Sequence, residues 1–221
     1  MNKIYFPFLL LSFFLLQCQT NKAQSSSQYP KHWWKPVAKQ GAPTWEILPQ
    51  EAGPGEVILS KRNELGLLSN FAATPFELDG KRYASVEGFW QMLKYPEGPK
   101  DKRLKDPKIK WPYTREQVAA MTAFDAKKAG KIASDNMKAL EIDWVSYRGE
   151  KISYREQAKG AFYNLILRAE WAKLQQNENV KNVLLSTGDL KLRPDHIEEP
   201  DAAPAWRYYE MWMEIRQQIR K

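Results

Sequence analysis

The chain has one cysteine, two histidines and fewer acidic than basic residues. A single thiol excludes an intramolecular disulfide, so an exported form of this chain must rest on its hydrophobic core. Cys18, His32 and His196 are too few for a structural zinc site. A carboxylate-bound cation stays open. Against 34 Lys and Arg stand 26 Asp and Glu, giving a formal charge of +8 and a pI near 9.4. That balance suits phosphate-bearing ligands, nucleic acid or an anionic membrane surface, and equally a soluble protein with no such ligand. Long apolar runs are also missing: residues 4–16 (IYFPFLLLSFFLL) fall short of the roughly 20 residues a spanning helix needs.

What is present begins with that run. Lys3 supplies a positive start, and "LLQC" sets Leu15, Leu16 and Gln17 directly before Cys18. The pattern describes a secretory signal over residues 1–17 and resembles a bacterial lipobox, which implies a lipid on Cys18 and anchoring to a membrane of the cell envelope. An uncleaved anchor or an ordinary secretion signal is the alternative. Losing Lys3 with the signal leaves +7 on the mature chain. Residues 18–29 are polar and Ser-rich, a flexible tether. Residues 30–55 carry Trp33, Trp34 and Trp45 among prolines, an extended arm expected to pack on the domain formed by residues 56–221. With 43% hydrophobic and 13% aromatic residues, one ordinary core is expected.

Within the domain "EVILS" reads as a buried strand and "LKLRPD" as a strand returning to the sheet. "PFELDGKRY" carries an Asp-Gly hairpin signal. A helix is expected to start near Thr114 and run through "TREQVAAMTAFDAKKAGKIA", presenting Val118, Met121 and Ala129. A second is expected from Ser153, with Ala161, Leu165, Leu167 and Leu174 in the core, then a short one ending near Gly188. The last presents Tyr208, Met211, Trp212 and Ile215. Few strands and many helices predict an α+β, mainly helical single domain with a small sheet. The basic stretch 98–112, with Lys100, Lys102, Arg103, Lys105, Lys108 and Lys110, reads as a solvated loop.

The stretch "SVEGFWQMLK" has two faces. Ser85 is placed to cap a helix. At about 100° per residue Val86, Phe89, Trp90 and Leu93 gather on one side. Glu87, Gln91 and Lys94 line another. In the first turn the macrodipole favours an ionised Glu87.

Several segments together resemble the NADAR superfamily, whose familiar members are YbiA-like. They are "GLLSNFAATPFELDGKRYASVEGFWQMLKY", "DAKKAGKIA", "AKLQQNENVKNVLLSTGDLKL" and "MWMEIRQQI". The resemblance spans residues 56–219 and implies cleavage of an N-glycosidic bond in a phosphorylated nucleotide-like molecule. Such molecules are riboflavin intermediates, NAD-related metabolites or ADP-ribose on modified guanine, the last a route to nucleic acid. It implies Glu87 as the catalytic carboxylate, Asn70 and Gln91 as amides holding ribose or base, Arg62 and Lys94 as phosphate partners, and Phe71 or Trp90 as stacking rings. No cofactor or metal is implied. Two departures stand out. Gly88 occupies a position where the family carries histidine. The family's Asp-x-x-Trp-Gly-x-Gly stretch and glycine loop are replaced by "EEPDAAPAWRYYEMW", in which Asp201 and Trp206 resemble remnants. A nucleotide or ADP-ribose binding protein that has lost catalysis is the alternative implied.

Overall fold

Three separate two-stranded sheets carry the strands in a computed structural model that describes residues 28–221. The signal segment 1–17, Cys18 and residues 19–27 of the tether lie outside the described residues. Strand β1 (Glu56–Ile58) pairs in parallel with a strand from near the other end of the chain, Lys191–Arg193, with Val57 opposite Leu192. Both central side chains are buried, as the apolar runs predict. β2 (Phe76–Leu78) and β3 (Lys81–Tyr83) form the expected hairpin, turning on Asp79 and Gly80 at φ +52° and +76°.

Among the described residues six helices surround these ribbons: α1 (Val86–Met92), α2 (Arg115–Ala119), α3 (Ala123–Ala139), α4 (Ala161–Gln176), α5 (Glu178–Ser186) and α6 (Tyr208–Ile219). The fold is α+β and mainly helical. Two expectations about the helices are corrected. The stretch after Thr114 is two helices, because residues 120–122 leave the spiral and Ala123 takes φ +48°. The break is where α1 docks: Ala84 N–H donates to Ala119 O at 3.0 Å, and Ser85 Oγ donates to Met121 O at 2.9 Å. Ser85 Oγ also accepts from Gly88 N–H at 2.9 Å, the expected cap. A Cβ on Gly88 would lie 2.5 Å from Met121 O, so this packing leaves no room for a histidine there.

The second correction concerns Ser153. It ends β5 (Glu150–Ser153), which pairs with β4 (Trp144–Tyr147) across Arg148 and Gly149, both at positive φ. Here cross-strand pairing of Val145 with Ile152 outweighs helix propensity. Helix α4 starts eight residues later, and Ala161 in its first turn is exposed rather than core. The strand Lys191–Arg193 is β6.

Buried apolar residues form two clusters. One joins the two hairpins, α1, α3 and the first half of α4 through Phe76, Tyr83, Phe89, Val145, Phe162 and Ile166. The other joins β1, β6, α5 and α6 through Val57, Leu184, Leu192, Trp212 and Ile215. Leu167 of α4 packs against both. The arm packs into the second cluster with Tyr29 and Trp33, and Trp34 Nε1–H donates to Glu56 O at 3.0 Å.

The basic stretch is only partly the expected solvated loop. Its five lysines are exposed, but Arg103 is fully buried. Arg103 Nη1 donates to Leu93 O and Lys94 O at 3.0 and 2.9 Å, and Arg115 Nε donates to Met92 O at 3.0 Å. Two guanidinium groups therefore satisfy carbonyls that the end of α1 leaves open. Helix α1 is pinned at both ends, by the α2–α3 junction and by these arginines.

Candidate active site

The polar stripe of α1 is the floor of a cleft of about 540 Å³. Glu87, Gln91 and Lys94 are 7, 9 and 9% exposed, so only their ends reach the opening. Gln91 Nε2 donates to Glu87 Oε1 at 2.8 Å, and Lys94 Nζ donates to Ser134 Oγ on α3 at 3.0 Å. Burial raises the Glu87 carboxyl above its ordinary range, outweighing the bond from Gln91 and the charges of Lys94, Lys127 and Lys61. Desolvation at this depth therefore opposes the macrodipole's preference for the ionised form. Burial also lowers Lys94, to about 8, against the pull of Glu87, so part of its amine is neutral at neutral pH.

Asn70 stands beside this floor on a turn held from three sides. Trp212 Nε1–H of α6 donates to Leu68 O at 2.6 Å, Lys173 Nζ of α4 to Ser69 O at 2.8 Å, and Glu87 N–H to Asn70 O at 2.9 Å. With the turn's backbone so occupied, the Asn70 side chain caps nothing. Its Oδ1 and the Oε1 of Gln91 are buried with no hydrogen-bond partner among the described residues. Buried acceptors left without a donor are costly, and both residues line the cleft, from which a ligand's O–H or N–H groups can approach them.

Gly130 makes the Gln91 position possible. A Cβ there would lie 1.8 Å from Gln91 Oε1, so Gly130→Ala pushes the amide off Glu87. The displaced group is the end of a flexible side chain, and alanine adds roughly 1 kcal/mol of helix propensity. The variant is expected to keep its melting temperature within about 3 °C, by the usual ΔΔG-to-Tm conversion. Ligand affinity measured by titration calorimetry should fall about tenfold, the worth of one good hydrogen bond. Unchanged affinity would remove Gln91 from the site.

The aromatic walls come from several elements. Trp90 meets Phe162 edge-on at 5.1 Å and Trp206 at 6.5 Å. Trp206 lines the cleft from the turn Pro204–Trp206. At the mouth Phe71 packs edge-on against Phe124 at 5.3 Å, and Trp45 and Phe124 are 41 and 50% exposed. Lys61 Nζ lies 5.2 Å from the Phe71 ring, and Lys127 Nζ lies 5.8 and 5.9 Å from Phe71 and Trp45. Cations near ring faces are attracted by the negative face of the ring. Arg155 lines the same cleft.

Of the residues singled out in the sequence, Glu87, Asn70, Phe71, Trp90, Gln91, Lys94 and Trp206 meet here. Arg62 does not: both arms of its guanidinium bind Glu46 at 2.7 Å, away from the cleft lining. Asp201 is exposed and outside the lining, and its backbone O accepts from Gln157. Lys94, buried and bonded to Ser134, leaves the role of mouth cation to Lys61, Lys127 and Arg155. Sequence reasoning missed those three, and also Trp45, Tyr154, His196 and Tyr208. Lys61, next to the residue chosen, carried no periodic signal that set it apart from Arg62.

The wall opposite α1 is the segment before α6, where the glycine loop is absent. The arm braces it: Ile47 N–H donates to Asp195 O and Ile197 N–H to Trp45 O, each at 3.0 Å. No group of three or more His, Cys, Asp or Glu residues able to hold a metal ion occurs among the described residues. No protein-family model matches the chain, and no curated protein matches it. Among solved structures the chain is similar to the NMR structure of the E. coli protein YbiA, with a TM-score of 0.46 and 21% identity over 75% of this chain and 86% of that one.

Proposed function

We propose that the cleft hydrolyses the N-glycosidic bond of a phosphorylated nucleotide-like molecule and that Glu87 carries the chemistry. The observation that supports this most is the carboxyl itself, buried, raised by desolvation and held by Gln91 on the floor of an aromatic cleft. Breaking a sugar–base bond to a neutral nitrogen needs a proton on that nitrogen while positive charge develops on the anomeric carbon. A carboxyl whose hold on its proton is strengthened by burial can supply that proton, and the carboxylate it becomes can stabilise the charge. The free acceptors of Asn70 and Gln91 suit ribose hydroxyls or a base amine. Lys61, Lys127 and Arg155 suit phosphate, and the rings of Trp90 and Trp206 suit a planar base.

The test is release of free base from NAD, ADP-ribose, ADP-ribosylated guanosine and ribosylaminopyrimidine phosphates by the protein lacking residues 1–18. Base release from one of these supports the proposal. Binding without release favours a nucleotide-binding protein, and neither outcome leaves the cleft its proposed ligand. A lipid on Cys18 and residence in the cell envelope belong to the same proposal. Cys18→Ala is expected to move the protein out of the membrane fraction, and its retention there would remove the anchor.

A further inference from the structure

We propose that His196 is the base that activates water in this cleft, oriented by Asp195. The inference rests on the N-glycosidase reading and adds to it the group that handles the second proton. His196 lines the same cleft as Glu87, on the wall opposite α1. Its backbone is fixed, because it pairs in an antiparallel bridge with Glu46 and both neighbouring peptide groups bond to the arm. Its ring lies parallel to Tyr208 at 6.2 Å and 8°. Its Nδ1 is 3.3 Å from Asp195 Oδ1, and the Asp195 carboxylate is 3% exposed. Lys61 Nζ donates to both Asp195 oxygens at 2.6 Å. Burial would raise Asp195, but the bonds from His196 and Lys61 outweigh it and hold the carboxylate ionised below its ordinary range.

A buried carboxylate that accepts from Nδ1–H selects the tautomer whose Nε2 carries a free lone pair. The ring keeps 40% of its side-chain surface exposed while Nδ1 faces Asp195, so Nε2 is the nitrogen left to the cleft. The ring faces Asp195 and Tyr208; Lys61 binds Asp195, the Glu46 carboxylate binds Arg62, and Glu198, which also lines the cleft, accepts from Tyr209. Lys61 also acts on Glu87 through its charge, so acid and base stand around one shared cation.

The step balances. A water oxygen bonds to the anomeric carbon as Nε2 of His196 takes one of its protons. The pair of the breaking C–N bond goes to the base nitrogen, which also takes the Glu87 proton where that nitrogen is neutral in the substrate, as on guanine; the pyridinium nitrogen of NAD leaves as neutral nicotinamide and needs none. Transfer of the imidazolium proton through solvent to Glu87 restores both groups.

The test uses NAD and ADP-ribosylated guanosine with the native chain, Glu87→Gln, His196→Gln and Asp195→Asn. His196→Gln is expected to lower kcat by roughly 10²- to 10³-fold, the usual worth of a general base. Its KM should stay within about twofold, since no ground-state contact is lost. Asp195→Asn should lower kcat less than His196→Gln does and leave KM within about twofold, the mark of a positioning residue. Imidazole should restore turnover to His196→Gly if its melting temperature is native-like. If His196→Gln keeps kcat within about twofold while Glu87→Gln abolishes release, the water is activated elsewhere and the N-glycosidase reading stands. A raised KM at unchanged kcat would make His196 a binding residue and overturn the proposal. No base release by the native chain from either probe sinks both.

Discussion

Glu87→Gln is expected to abolish base release, lowering kcat by at least about 10³-fold on any substrate the native chain turns over. The amide has nearly the shape of the carboxyl and its oxygen can still accept from Gln91 Nε2, so the floor of the cleft keeps its geometry. What it cannot do is give up a proton. The stability change separates this role from a structural one. Burial raises the folded-state pKa of Glu87, so the stability it contributes is full below the unfolded value of about 4.5 and is lost as pH rises through the folded one. Glutamine has no such loss, and the variant should melt at or above the native temperature at pH 7 and higher. Calorimetric scans beside the activity assay check both halves. A variant that melts several degrees lower, or one that still releases base, would make Glu87 part of the scaffold.

Arg103→Leu is expected to cost about 3 to 5 kcal/mol, the usual penalty for breaking a buried ion pair by removing one partner. At 2–4 °C per kcal/mol for a chain of this size, the melting temperature should fall by roughly 10 °C. The guanidinium is fully buried and binds Asp101 through Nε at 3.0 Å and Nη2 at 2.7 Å while also closing the end of α1. Leucine fills much of the volume but leaves a buried carboxylate and two carbonyls with fewer partners. Acid titration gives a second readout. Burial would raise Asp101, yet the bonds from Arg103 hold it down at about 2. Its stabilisation is therefore present above the ordinary value of 3.8 and is lost as pH falls through about 2. Arg103→Leu should flatten the melting temperature over that window. Since α1 carries Glu87 and Gln91 and leads directly into Lys94, ligand affinity should weaken as well. A shift under about 2 °C would mean that water replaces the guanidinium without loss.

The parts of the fold that were legible in the sequence share one property, which is that their causes are local. The two faces of α1, its Ser85 cap, the Asp79–Gly80 hairpin and the buried face of α6 are all written within a few residues. Helical and strand periods record such patterns directly. The elements misread were decided by distant partners. Residues 120–122 leave the helix where Ala84 and Ser85, just before α1, bind the carbonyls of Ala119 and Met121, and Ser153 is a strand residue because β4 lies beside it. Charge density along residues 98–112 could not reveal that one of six cations is buried at the end of another helix.

The site divides in the same way. By itself the sequence determined that Glu87, Gln91 and Lys94 share a face of a helix whose other side is core, and that Asn70 and Phe71 lie on a turn close before it. Only the tertiary structure decided that this face is a cleft floor, that desolvation raises the Glu87 carboxyl above its ordinary range, and that Lys61 rather than Arg62 reaches the opening. The imidazole of His196 and the carboxylate of Asp195, 134 residues from the lysine that binds it, came into reach only through folding. Periodicity says which side of an element is buried, and it carries no information about what stands on the other wall. For a polar group that wall sets the dielectric, the hydrogen-bond partners and the charge, and with them the chemistry.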